Sequence, residues 1–153
     1  MTRINLTVKR HILVFLILGV AATVVAQNSF AQALAQITLN ASTGTYTFAV
    51  EVMRTPEERS VGLMHRQHMD TDKGMLFDFG DTRPVRMWMK NTLIPLDMIF
   101  ISEAGTIAGI AHDTVPMSTE ILSSPKPVRY VLELNAGTSR KLGFNVGDRV
   151  QLP

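Results

Sequence analysis

The sequence predicts a mainly β protein, a small antiparallel β-sandwich or distorted barrel with one or two short helices. Beyond residue 36, apolar residues recur with a period of two rather than with the helical period. Turn-forming Gly, Pro, Asn and Asp punctuate the chain at short intervals. The resulting seven or eight short strands carry no internal repeat and no low-complexity tract, so one all-β domain is expected.

The elements follow in order. A short strand around Ile37 to Leu39 turns at Gly44 into Thr45 to Met53, where Tyr46, Phe48, Val50 and Val52 share one face. Thr55-Pro56-Glu57-Glu58 is a helix start: Thr55 can cap, Pro56 suits the first helical position, and Glu58 stands where a capping box needs its carboxylate. The helix is expected from Pro56 to about Leu63, with Val61 or Leu63 and Met64 turned to the core, and 64–73 as a loop. Strands are predicted over Gly74 to Phe79, Val85 to Asn91 and Leu96 to Ser102, with Pro95 limiting any ladder at that point. Glu103-Ala104-Gly105 joins the last of these to Thr106 to Ala111 as a hairpin. A long loop is expected over Asp113 to Lys126. Tyr130 to Asn135 is a strand, Thr138 to Leu142 one helical turn closed by Gly143, and Asp148 to Leu152 a final strand.

The amino-terminal residues read apart from this domain. Arg3, Lys9 and Arg10 make a basic start, Ile12 to Val25 runs without a charge, and Ala31-x-Ala33 and Ala33-x-Ala35 both fit a signal-peptidase exit. The apolar run is shorter than the roughly 20 residues a spanning helix needs, so cleavage is expected rather than anchoring. No Cys stands at the exit to accept a lipid. Residues 1–35 are therefore predicted to be a signal peptide and lead-in, residues 36–153 the folded domain, and the destination periplasmic or secreted.

This division changes the charge reading. The chain has 15 basic and 13 acidic side chains; without Arg3, Lys9 and Arg10 it has 12 against 13, a net charge of −1. The basic excess belongs to the export signal and argues for no nucleic-acid partner. There is no cysteine, which removes thiol catalysis, thiolate metal sites and disulfides, so stability must come from a core. About 120 residues are enough to bury one. The expected state is a monomer with no membrane span after cleavage and no cofactor.

Four spaced blocks stand out. They are Arg54-Thr55-x-x-Glu58-Arg59-x-x-Gly62-Leu63-Met64-x-Arg66, then Gly74-Met75-Leu76-Phe77-x-Phe79, then Trp88-Met89-Lys90-Asn91-Thr92-x-x-Pro95-Leu96-Asp97-x-x-Phe100, and Val131-Leu132-Glu133-Leu134-x-x-Gly137. In this order they resemble the bacterial and archaeal family called domain of unknown function 192, over about Ile37 to Leu152. The resemblance implies a single small, mainly β, often exported domain. It brings no activity, substrate or cofactor with it, and it does not extend to His65 and His68.

The residues themselves point to a cleft. Trp88 and Lys90 alternate with Met87 and Met89, giving one aromatic-cationic face and one methionine face. Either Asn91, Thr92 and Asp97 tie down a turn through side-chain bonds to backbone, or Trp88 gives a ligand a stacking surface while Lys90, Asn91 and Asp97 supply polar contacts. Arg54, Glu58, Arg59 and Arg66 cluster around the helix, as surface salt bridges or as a site for a planar carboxylate. Glu133, a carboxylate in the apolar strand Val131-Leu132-Glu133-Leu134, must be edge-exposed or lie in a pocket. The expectation is non-catalytic binding of a small polar, anionic or saccharide-like ligand near Trp88 and Asp97. Two other readings are carried with it. One is copper binding through Met64, His65, His68 and Met69, because thioether and imidazole are soft-metal ligands. The other is hydrolysis of an envelope carbohydrate by Asp97 and Glu133 across a cleft.

Overall fold

The structure, a computed structural model, describes residues 34–153; the predicted signal peptide up to residue 33 lies outside the described residues. Nine strands and two short helices follow in the order β1 (Ala35–Ala41), β2 (Gly44–Met53), α1 (Pro56–Val61), β3 (Lys73–Arg83), β4 (Arg86–Met87), β5 (Leu96–Ile101), β6 (Ile107–Thr114), β7 (Leu122–Ser123), β8 (Val128–Asn135), α2 (Thr138–Leu142) and β9 (Arg149–Gln151).

Seven strands form one sheet in the order β6-β5-β8-β3-β2-β1-β9, and β4 pairs with β7 in a separate ribbon. The sheet curls into a half-barrel. Its two ends meet through a bridge between Thr106 and Arg149, where Val150 N donates to Gly105 O (2.8 Å) and Ile107 N to Asp148 O (3.0 Å). The predicted β class therefore holds, with one difference in pairing. β2 and β3 run parallel, because α1 and the loop after it carry the chain back to the starting end of β2.

Two cores lie on opposite faces of this sheet. The concave face packs Ile37, Leu39, Phe48, Val50, Leu76 and Ile99, with Phe144 edge-on to Tyr46 at 5.6 Å between ring centroids. The convex face packs Met53, Met75, Phe77, Met98, Phe100 and Val131 beneath Leu63, Val85 and Met89. Strand β5, Leu-Asp-Met-Ile-Phe-Ile, is consequently buried at every position, which explains why its sequence does not alternate apolar with polar residues.

The layer over the convex face differs from the reading of Val85 to Asn91 as a strand. Only Arg86–Met87 pairs, with β7, and Lys90-Asn91 turn instead, Asn91 with φ 56° and Thr92 N donating to Met89 O. The alternation survives this change: Met89 is buried, Met87 half-buried, and Trp88 and Lys90 exposed. Strand β6 reaches Thr114 and β7 occupies Leu122–Ser123, both inside the segment expected to be a loop.

Helix α1 starts as the sequence predicts. Thr55 accepts from Glu58 N at 3.1 Å, Glu58 accepts back from Thr55 N at 2.9 Å, and Pro56 opens the first turn. Gly62 ends it with φ 47°, and a Cβ there would stand 3.0 Å from the Phe77 ring. Leu63, not Val61, enters the core.

Candidate functional site

Between α1 and the 86–92 segment the convex layer leaves a cavity of about 220 Å³. Strand β8 supplies its floor. Leu132 and Leu134 face the concave core, so Val131 and Glu133 face the other way, and the ladder sets Glu133 between Met75 of β3 and Met98 of β5. Glu133 is 4% exposed, lines the cavity, and has no hydrogen-bond or ion-pair partner among the described residues. Burial alone pushes its carboxyl up from an ordinary 4.5 to about 8. At neutral pH it is mostly an uncharged acid, able both to donate and to accept.

The mouth has the opposite character. Arg59 comes from α1, Arg86 from β4, and Lys90 from the following turn. Arg59 is held in place: Nη1 donates to the carbonyls of Arg54 and Asp78, and the guanidinium lies 5.1 Å from the Phe79 ring. Lys90 Nζ stands 5.1 Å from the centre of the Trp88 ring, which is 45% exposed and gives the mouth an aromatic edge. Asn91 ties two walls together, because its carbonyl accepts from His65 N at 2.9 Å and its amide approaches Met64 Sδ at 3.8 Å.

Of the residues singled out in the sequence, the cavity brings together Arg59, Trp88, Lys90 and Glu133. The others lie elsewhere. Arg54 is exposed, and its backbone N donates to Glu58 Oε2 at 2.8 Å. Glu58 completes the capping box, and the backbone N–H groups of Thr55 and Arg54 hold its pKa below the usual range. Arg66 forms a two-armed ion pair with Glu51, lowering the Glu51 pKa, at a separate depression that also includes His68 and Met69. Asn91 acts through a turn rather than on the cavity.

Asp97 is pinned on the concave side of the sheet, near the start of α2. Its Oδ1 accepts from Asp113 N (2.9 Å) and Gly137 N (3.2 Å), and its Oδ2 from Ser139 N (2.8 Å) and Ser139 Oγ (2.6 Å). A bulge in β6 aims Asp113 N inward, and Gly137 takes φ 79°, a left-handed conformation that glycine adopts without strain. Ser139 spends its single hydroxyl proton on Asp97, so its oxygen must accept at 2.8 Å from His112 Nδ1, which fixes that histidine's protonated nitrogen.

The register corrects the two-carboxylate reading. Asp97 pairs with Leu134 and Met98 with Glu133, so Asp97 and Glu133 project from opposite faces and cannot flank one sugar. The four residues of the copper reading are also dispersed. Met64 lines the cavity, Met69 is buried beside the Arg66 depression, His68 pairs with Asp70 at 3.0 Å, and exposed His65 takes φ 64°. Among the described residues no three His, Cys, Asp or Glu side chains gather as a metal set.

The sequence reading missed Arg86, Phe77, Phe79 and Thr92 as cavity residues. For Arg86 the signal was available, since Arg86, Trp88 and Lys90 alternate on one face.

The model of the family domain of unknown function 192, described as an uncharacterized ACR, matches residues 37–152. The chain belongs to this family. No curated protein matches it. Among solved structures it is similar to a candidate transcription regulator from Sinorhizobium meliloti 1021, with 51% identity, coverage of 78% of this chain and 95% of that one, and a TM-score of 0.75. It is also similar to a protein of unknown function from Novosphingobium aromaticivorans DSM 12444, at 34% identity, with 78% and 85% covered and a TM-score of 0.76. The four blocks quoted from the sequence fall within the matched range, and all four contribute residues to the cavity. No helix among the described residues is long and apolar enough to cross a membrane.

Proposed function

We propose that the cavity between α1 and the 86–92 segment is the working site, and that this protein is an exported, non-catalytic binder of a small polar ligand bearing an anionic group. The observation that carries this reading is Glu133, a carboxyl almost wholly buried, without a partner among the described residues, and open to a cavity. Enclosing a carboxyl this far with no protein partner costs stability, and a site that receives a ligand is one reason for retaining it. Arg59, Arg86 and Lys90 at the mouth attract an anion, and Trp88 offers a stacking face. The cavity is smaller than the 300–1,000 Å³ range of drug-sized sites, so the ligand is small. With 12 cationic against 13 anionic side chains outside the signal, a nucleic-acid partner gains no support from charge.

Because the only tryptophan stands at the mouth, ligand entry is read directly from its fluorescence. Titration with short organic acids, amino acids and sugar acids is expected to shift or quench the emission. Lys90→Ala and Arg86→Ala, both at exposed positions, should each weaken that response by about tenfold, the loss of one charged contact. A panel without any response, or a response that both variants leave unchanged, would refute the site. Export is checked by cell fractionation and by the mass of the purified chain, which should lack about the first 35 residues.

A further inference from the structure

We infer that the ligand is a small zwitterion, entering with an amino group toward Glu133 and leaving its anionic group among Arg59, Arg86 and Lys90. The inference rests on the reading of this cavity as a binding site and concerns the chemistry that fills it. It comes from the polarity of the cavity along its depth. The floor carries an acid and the mouth carries three cations, so the two ends call for opposite charges.

Each alternative ligand leaves one end unsatisfied. A plain anion fits the mouth, but if it reaches the floor it meets either a carboxylate that repels it or an uncharged acid offering one hydrogen bond. A plain cation fits the floor and must pass three like charges to reach it. A molecule with an ammonium group at one end and an anion at the other satisfies both. Its ammonium supplies the counter-charge that Glu133 lacks in the free protein, where burial is the sole cause displacing its pKa.

The surroundings support this assignment from every side. On the flanking strands Glu133 is bordered by Met75 and Met98, neither of which can neutralise it or donate to it. The other charged groups on the cavity are Arg59 of α1, Arg86 of β4 and Lys90 of the turn after it. The methionine walls, which include Met64 and Met87, adapt to a ligand's aliphatic middle.

Docking of an ammonium group requires the ionised form of Glu133, so the carboxyl proton passes to solvent as the ligand binds. Below about pH 8 the site is mostly protonated, and binding of a zwitterion should release close to one proton. Affinity should then rise by about tenfold per pH unit toward that value and level off above it. An anion held by the protonated acid instead binds with level affinity below about pH 8 and loses about tenfold per pH unit above it.

The test compares three matched series on the full mature chain: short α- and ω-amino acids, the same acids without the amino group, and the same amines without the acid. Trp88 fluorescence gives affinity, and calorimetry in buffers of different ionisation enthalpy gives the proton count. The expected result is amino acids binding at least about tenfold more tightly than either partner series, with proton release and a rising pH slope. Glu133→Gln, checked by its melting curve, should bind with neither proton release nor preference for the amino group. If the deaminated acids bind as well, or affinity falls as pH rises, the zwitterion is refuted while the anion site stands. If no series binds, both readings fall.

Discussion

Asp97 and Glu133 are buried carboxylates on adjacent strands of one sheet, and their surroundings differ completely. Asp97 accepts four hydrogen bonds, from three backbone N–H groups and one hydroxyl, and thereby ties β6 and the start of α2 to the concave face of β5. Glu133, one step away in the register, accepts none among the described residues and opens onto a cavity. The first carboxylate is used up by the fold. The second is a cost to the fold that only something outside it can offset, and this contrast, rather than burial alone, separates a structural pin from a candidate binding group.

The two cores repeat the contrast. Among the described residues the concave core contains no methionine, whereas the convex core holds Met53, Met69, Met75, Met89 and Met98. Flexible thioethers fill the core on the cavity's side of the sheet, and stiffer aliphatic and aromatic chains fill the other side.

The most severe way to break the comparison is Asp97→Ala. It strands four donors in the interior and should cost about 3–5 kcal/mol, read as a lowered urea midpoint. A loss below about 1 kcal/mol would mean that Asp97 is no pin.

Glu133→Gln should act in the other direction, and its effect should depend on pH. The folded state holds the Glu133 proton more tightly than the unfolded chain, with a pKa of about 8 against 4.5. Stability is therefore complete below about pH 4.5, falls as pH rises toward about 8, and is level beyond. The amide carries no such proton, so the variant should match the parent at low pH and exceed it above about pH 8 by several kcal/mol, at most about 5. Denaturation curves at several pH values check this, and a parent with no extra alkaline loss relative to the variant would contradict the solitary carboxyl.

The smallest effect is expected at the surface. Arg66→Ala removes the ion pair with Glu51, which is partly solvated, and should cost less than about 1 kcal/mol, diminishing with salt. A larger loss, measured by urea unfolding, would place that pair with Asp97 among the pins.

Local chemistry was well marked in the sequence. Thr55, Pro56 and Glu58 specify the start of α1 because a capping box needs only residues three apart. Gly143 closes α2, and the alternation at Trp88 and Lys90 persists even though β4 stops at Met87. Arg66 could not be read this way. Its partner Glu51 lies on β2, brought near only by the parallel crossover, so an apparent member of a basic pocket proves to be neutralised elsewhere.

The same limit decided the meaning of the Trp88 to Phe100 block. By itself the sequence determined a β-rich domain, the helix starts, an aromatic-cationic face and two carboxylates within apolar strands. Only tertiary structure decided that Lys90 and Trp88 share a cavity with Glu133 while Asp97 does not. Side chains alternate across a strand, so pairing Asp97 with Leu134 and Met98 with Glu133 sends the two acids to opposite faces. That pairing is settled by how whole strands bury their faces, and no local spacing encodes it.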